Sequence, residues 1–205
     1  MVNRCIEVFD ETYLNDIVSI HLEAFPGFFL TLLGKPFLTE LYRGFIDSNE
    51  ATLWVSFDES GRVNGFAAGT INPESFFIKL RNKKFLSFLI ASLKAMILNP
   101  VVVMRKLFSA IFYNGDKVQK LDGAALLSSI GVRPNNGSKG VGTDLLQCFE
   151  NFLINKKIYS VYLITDKNDN EKVINFYKRH NYKIDSTIMK SDGRSMYRLL
   201  KILQG

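Results

Sequence analysis

The residues of this chain best suited to chemistry lie between Ile130 and Thr143 and read Ile-Gly-Val-Arg-Pro-Asn-Asn-Gly-Ser-Lys-Gly-Val-Gly-Thr. A short apolar strand ends at Val132, Pro134 breaks it, and small polar residues lead into Gly140 and Gly142. Leu145, Leu146, Phe149 and Phe152 then recur at helical spacing. Glycine at a helix start lets the backbone approach a ligand, and the first amides of a helix lack partners and attract anions. The pattern predicts a backbone cradle for a diphosphate. Taken alone, it also fits an ordinary glycine-rich turn from strand to helix.

A cradle of this kind needs a strand before it and a helix after it, and the rest of the chain supplies both in a regular order. Residues 5–9 alternate as a first strand, with Asp10 placed to cap a helix that carries Ile17, Ile20, Leu22 and Phe25 up to Pro26. A second helix is expected after Pro36, with Phe37, Leu38, Leu41, Tyr42 and Phe45 on one side. Thr52–Phe57 and Val63–Ile71 make a hairpin across Asp58-Glu59-Ser60-Gly61. Residues 72–122 depart from this rhythm, with expected helices at Phe85–Leu98 and Val102–Tyr113 parted by Asn99-Pro100. Strand (Ala124–Val132), helix (Gly140–Lys156), strand (Ser160–Thr165) and helix (Asn170–Arg179) follow, then strands Lys183–Met189 and Ser195–Leu203. This order predicts a mixed α/β domain over residues 1–205 with a helical insertion at 72–122.

Composition bounds the class. A hydrophobic content of 47% against 22% charged residues belongs to a folded domain. Cys5 and Cys148 are the two cysteines, too few for a disulfide framework or a metal-binding spacing, which favours a reducing, cytoplasmic setting and no metal. Residues 1–11 show no signal-peptide pattern, and the apolar run at 85–98 is broken by Ser87, Ser92 and Lys94. The net charge of +6 is concentrated: residues 72–120 hold nine basic side chains against Glu74 and Asp116.

The element order and the residues from Val132 to Gly142 resemble the GCN5-related N-acetyltransferases. In that family a Val-x-Pro turn precedes Arg or Gln-x-x-Gly-x-Gly or Ala at a helix start. A second stretch, Asn170-x-x-Val-x-x-Phe-Tyr177-Lys-Arg-His-Asn-Tyr182, resembles the family's Asn-x-x-Ala-x-x-x-Tyr-x-x-x-Gly-Phe helix. The two fall in the expected order with a strand between them. The resemblance covers residues 120–200 in motifs and residues 1–71 in element order.

That resemblance implies a mostly antiparallel central sheet flanked by helices, with the insertion between the third and fourth strands. It implies acetyl-CoA as co-substrate, with backbone groups of Ile130, Gly131 and Val132 along the pantetheine arm. The diphosphate would rest on Ser138, Lys139, Gly140, Val141, Gly142 and Thr143, helped by the helix dipole, and Asn170 would act as a cofactor contact or a helix cap. Tyr177 takes the role of general acid, giving a proton to the departing thiolate; its alternative is a core ring. The chain departs from the family in having Gly137 where an Arg or Gln is usual, with Lys139 as the nearest charge, and Asn181 where Gly is usual. Asn tolerates the left-handed turn required there.

The strand at 126–130 lacks the Glu that many relatives use as a base; Asp122, Ser128, His21 and Glu23 are the side chains that could serve, or ordered water instead. Phe25, Phe28 and Phe29 are expected as an apolar or ring-stacking acceptor wall, core packing being the alternative. The basic, Phe-rich stretch 76–113 has three expected uses: burial or homodimerisation, docking on anionic lipid, and binding an anionic acceptor. Nothing there carries a nucleic-acid-binding signature. The sequence thus predicts an N-acyltransferase that joins an acetyl group to the primary amine of a small metabolite, an amino sugar being the expected acceptor. The alternatives are a peptide or protein acceptor, or a catalytically silent CoA-binding module.

Overall fold

The computed structural model describes residues 4–98, 100, 121, 123–134, 140–190 and 193–204. Its strands are β1 (Arg4–Glu7), β2 (Ala51–Phe57), β3 (Val63–Thr70), β4 (Ala125–Val132), β5 (Ser160–Asp166), β6 (Lys183–Met189) and β7 (Ser195–Ile202). They form one sheet in the order β1-β2-β3-β4-β5-β7-β6. Each neighbouring pair is antiparallel except β4 with β5. The helices are α1 (Leu14–Ala24), α2 (Phe29–Ile46), α3 (Pro73–Leu98), α4 (Val141–Asn155) and α5 (Glu171–Arg179). The mixed, mostly antiparallel sheet flanked by helices is the fold the sequence implied, and α3 lies between β3 and β4.

Alternation along β3 divides the core. Phe66 and Ala68 pack with Ile17, Ile20, Leu38, Tyr42 and Phe45 of α1 and α2. Ala67 turns to the other face, where Leu145, Leu146, Phe149 and Leu153 of α4 lie at helical spacing against Ala125, Leu127, Val161 and Leu163. Phe149 is fully buried, a burial that contributes roughly 2–3 kcal/mol for an aromatic of this size.

Three helix starts differ from the sequence expectation. The first helix begins at Leu14 after a turn, because the Asp10 carboxylate accepts the Thr12 N–H at 2.8 Å and closes an Asx turn upstream instead of capping the helix. The second begins at Phe29 and bends at Gly34 (φ 83°), which leaves Pro36 early in its second segment, where a missing N–H costs little. The third begins at Pro73 rather than Phe85: Asn72 Oδ1 accepts the Ser75 N–H at 3.2 Å, a cap overlooked beside the long apolar run.

One side of α3 packs on α2 through Phe88 and Ala95 against Leu33 and Phe37. Its other side exposes Leu86, Ile90, Leu93 and Ile97. The expected helix at 102–113 lies outside the described residues. Among the described residues, no helix is long and apolar enough to cross a membrane.

Candidate active site

β4 and β5 run side by side for a short distance and then part. Their paired positions are Ala125 with Val161 and Leu126 with Tyr162. The cause lies on the opposite edge of β4, where Ala68 of β3 pairs with Ser129 but its neighbour Gly69 pairs with Leu127. Ser128 is therefore an extra residue, a β-bulge that bends the strand. Beyond it Ile130 and Val132 lean on the α4 core, and the β4 edge from Leu127 to Val132 has no strand partner toward β5.

The gap opens into a cavity of about 770 Å³. Ser128, Ser129, Ile130 and Val132 line one side, and Leu163, Ile164 and Thr165 line the other. Gly131 lies in the same strand with its α-carbon turned toward α1, where a Cβ would stand 2.7 Å from the Phe66 ring and 3.3 Å from Phe25. Only glycine lets these rings close over the strand here.

The helix that ends the gap is α4. Gly140 precedes it with φ 97°, a left-handed conformation that disfavours any side chain. The first intrahelical bond runs from the Asp144 N–H to the Gly140 carbonyl at 2.9 Å. The amides of Val141, Gly142 and Thr143 come before it and have no partner inside the helix. Gly140, Gly142 and Thr143 line the cavity, while Val141 is buried beneath it. Thr143 Oγ1 and His180 Nε2 share a hydrogen bond of 3.1 Å, which fixes the end of α5 to this helix start. Ser138, Lys139 and Gly137 lie outside the described residues.

From α5 come Tyr177 and the residue before the helix, Asn170, both lining the cavity. Tyr177 is 4% exposed, and burial pushes its phenol well above the ordinary tyrosine value, so it keeps its proton. The Asn170 side chain makes no cap bond. Its Nδ2 donates instead to Thr165 Oγ1 at 2.7 Å and to the Asp166 carbonyl at 2.9 Å, tying α5 to the end of β5. Asn181 adopts φ 66°, the left-handed turn expected of it.

The opposite wall is the connection between α1 and α2. The Thr31 hydroxyl donates to the Phe25 carbonyl at 2.7 Å, and Gly27 (φ 80°) allows the tight turn between them. Phe25, Phe28 and Phe29 all line the cavity; Phe25 also packs on His21 and Phe28, so it serves as both wall and core.

Of the candidate bases, Glu23 is already engaged by Arg133 and Ser19, Asp122 lies outside the described residues, and Ser128 lines the cavity at the bulge. His21 lines it too. Its burial pulls the imidazole down to about 4, so it is neutral near pH 7.

Four charged or aromatic cavity residues escaped the sequence reading. Arg194 chelates Asp166 through Nη2 at 2.7 and 2.6 Å, and its guanidinium stands 5.6 Å from the Phe28 ring. Lys172 and Arg179 add charge from α5, and Phe176 packs under Gly142. The two charges on α5 could have been read beside Asn170 and Tyr177. Arg194 could not, because a hairpin brings it from the far end of the chain.

Residues 109–182 match the model of the acetyltransferase (GNAT) family, a stretch that holds both the β4–α4 turn and the α5 helix. Over that stretch the chain is similar to the GNAT acetyltransferases. No curated protein matches it in sequence. Solved structures share the GNAT fold at low identity. A histone acetyltransferase HPA2 and related acetyltransferase from Corynebacterium glutamicum superposes with a TM-score of 0.63 at 16% identity, over 100% of this chain and 98% of the other. Ard1 from Thermoplasma volcanium gives 0.61 at 16% identity, over 100% of each chain. A Bacillus anthracis protein described as a streptothricin acetyltransferase, solved in complex with acetyl coenzyme A, gives 0.51 at 11% identity, over 80% of this chain and 68% of the other. In this GNAT-like fold the bulge at Ser128, the parted strands and the left-handed Gly140 leave an extended slot of unpaired backbone that leads to a helix N-terminus.

Proposed function

We propose that this domain transfers an acetyl group from acetyl-CoA to the primary amine of a small metabolite, an amino sugar, by direct attack of the amine on the thioester, with Tyr177 as general acid. The observation that carries this reading is the meeting, in one cavity, of the unpaired β4 edge, the first amides of α4 and the buried phenol of Tyr177. The edge from Leu127 to Val132 would hold the amide-bearing arm, and Val141, Gly142 and Thr143 would hold the diphosphate. Asn170 keeps α5 against β5 so that Tyr177 stays at the gap. A phenol that keeps its proton can pass it to a departing thiolate.

Neither thiol favours a covalent route. Cys5 and Cys148 contact one another away from the cavity, and burial pushes the Cys5 thiol up to about 12, so it is not a nucleophile at neutral pH. Both are free.

The amino-sugar reading rests on the acceptor wall. Phe25 and Phe28 offer faces on which a sugar ring can stack, and the described cavity residues include Lys172, Arg179 and Arg194 but no carboxylate. Such a lining opposes a polycationic amine. Calorimetric titration of acetyl-CoA, with dephospho-CoA as control, tests the cofactor half. Release of free CoA thiol with glucosamine, spermidine and an alanine-terminated peptide as competing acceptors tests the rest. Micromolar acetyl-CoA binding with preference for glucosamine is expected. Absence of acetyl-CoA binding would sink the enzyme reading in favour of a silent module.

A further inference from the structure

His21 stands at the acceptor end of the cavity with half of its polar capacity unused. It is 3% exposed, in the last turn of α1. The ring is held on three sides: Phe25 at a centroid distance of 4.8 Å, Tyr42 at 5.7 Å and Phe66 at 6.4 Å. Its Nδ1 shares a hydrogen bond of 2.6 Å with the hydroxyl of Tyr42, itself fully buried. Its Nε2 is buried with no hydrogen-bond partner among the described residues. A buried polar atom of this kind is uncommon and calls for a ligand or another physical reason.

Building on the acetyl-transfer reading above, we propose that His21 Nε2 is the polar anchor for the acceptor: it accepts an N–H of the substrate amine and turns the nitrogen lone pair toward the thioester. The argument starts from the tautomer. Tyr42 can serve Nδ1 as donor or as acceptor, because the Ser129 hydroxyl stands beside its oxygen and can complete either arrangement. One arrangement leaves an unpaired N–H at Nε2, the other an unpaired lone pair. Orphaned buried N–H groups are the rarer of the two in proteins, so the proton belongs on Nδ1, donated to Tyr42, with the lone pair of Nε2 left for a donor. A primary amine is such a donor, and a neutral imidazole is a hydrogen-bond acceptor for it rather than a proton acceptor. No proton moves to His21: the amine reaches the site uncharged, and as the C–N bond forms and the C–S bond breaks, the proton shed by nitrogen replaces the one Tyr177 gives to the thiolate.

The location fits the task. Ser129 and Gly131 share the β4 face turned toward α1 and α2, while Ile130 and Val132 turn toward α4. An amine at His21 therefore approaches the slot from the side of the sheet opposite to α4. Phe25, which packs on the imidazole, joins this anchor to the aromatic wall.

Two measurements test the proposal. Nitrogen-15 NMR of imidazole-labelled protein, with acetyl-CoA added, should show His21 neutral and protonated on Nδ1; protonation on Nε2 would overturn the proposal whether or not an acceptor has been found. With glucosamine as the amine, His21→Leu should lower kcat/KM by tenfold or more and leave the acetyl-CoA Kd within twofold. His21→Gln, which can place a carbonyl oxygen near the Nε2 position, should recover most of the loss. A Leu variant that melts like the wild type and keeps its kcat/KM would reduce His21 to a packing residue. Failure of wild-type protein to bind acetyl-CoA would instead count against the acetyl-transfer reading.

Discussion

Arg133 Nη1 donates to Glu23 Oε1 at 2.6 Å, joining the residue just past β4 to the end of α1, and Arg133 Nε reaches the Val63 carbonyl at 3.2 Å. One side chain thus connects the exit of the β4 edge, the start of β3 and the helix that carries His21. It also accounts for Glu23, which is occupied as a structural partner rather than available as a base.

Removing that connection should loosen the slot more than it destabilises the fold. The pair is partly exposed, so Arg133→Ala is expected to cost about 1 kcal/mol or less in a urea melt. Acetyl-CoA affinity should fall several-fold, as read by calorimetry, because the loop leaving β4 loses its tie to α1. An unchanged affinity would mean that the loop holds its place without Arg133.

Tyr177→Phe separates chemistry from binding. Loss of the phenol should lower kcat by about 10²-fold or more, a size usual for a positioned acid, while the acetyl-CoA Kd stays nearly constant. Because burial raises the Tyr177 pKa, its proton is retained in mildly alkaline solution. The wild-type rate should therefore show no fall from this group up to pH 10. A silent module would show no rate to lose.

Gly131→Ala should destabilise by roughly 1–3 kcal/mol, since the new methyl would meet the Phe66 ring at 2.7 Å in a packed interior. Gly142→Ala is the contrast: its nearest neighbour is the Phe176 ring at 3.4 Å, and a thermal melt should register a smaller shift. Equal shifts for the two would contradict the close packing at β4.

The buried His21 also predicts a pH dependence of stability. Its folded value, about 4, lies below the ordinary 6.5. Above pH 6.5 both states leave it neutral and its contribution is complete. Between 6.5 and about 4 the unfolded chain binds a proton that the folded chain refuses, so stability falls as pH falls, by roughly 3 kcal/mol across the window. Urea melts at pH 7 and pH 5 should show a smaller loss in His21→Gln than in the wild type.

The strand and helix order was legible because periodicity reports which face is buried, and the alternation of β2 and the spacing of α4 leave little choice. The turn into α4 was legible through glycine, since Gly140 occupies a conformation that few other residues accept. Other features were hidden for different reasons. The Ser128 bulge was present in the pair Ser128-Ser129, which breaks an apolar strand, but one extra residue is visible only against its partner's register. Asn170 could be read as a helix cap or a cofactor contact, and its side chain reaches back to Thr165 rather than capping the helix, a choice set by the end of β5. The His21–Tyr42 pair joins two helices whose relative placement no local pattern encodes.

If one residue too many in β4 is what keeps the two strands apart, deleting Ser128 should let them zip together, giving a sheet with more backbone pairing and a protein that melts higher yet recognises no thioester. Substitutions chosen for thermostability alone would then drift toward that closed sheet. On the acetyl-transfer reading, activity in this domain rests on leaving part of a strand permanently unmatched, so the same edge that lowers its stability would be the one that gives it a substrate.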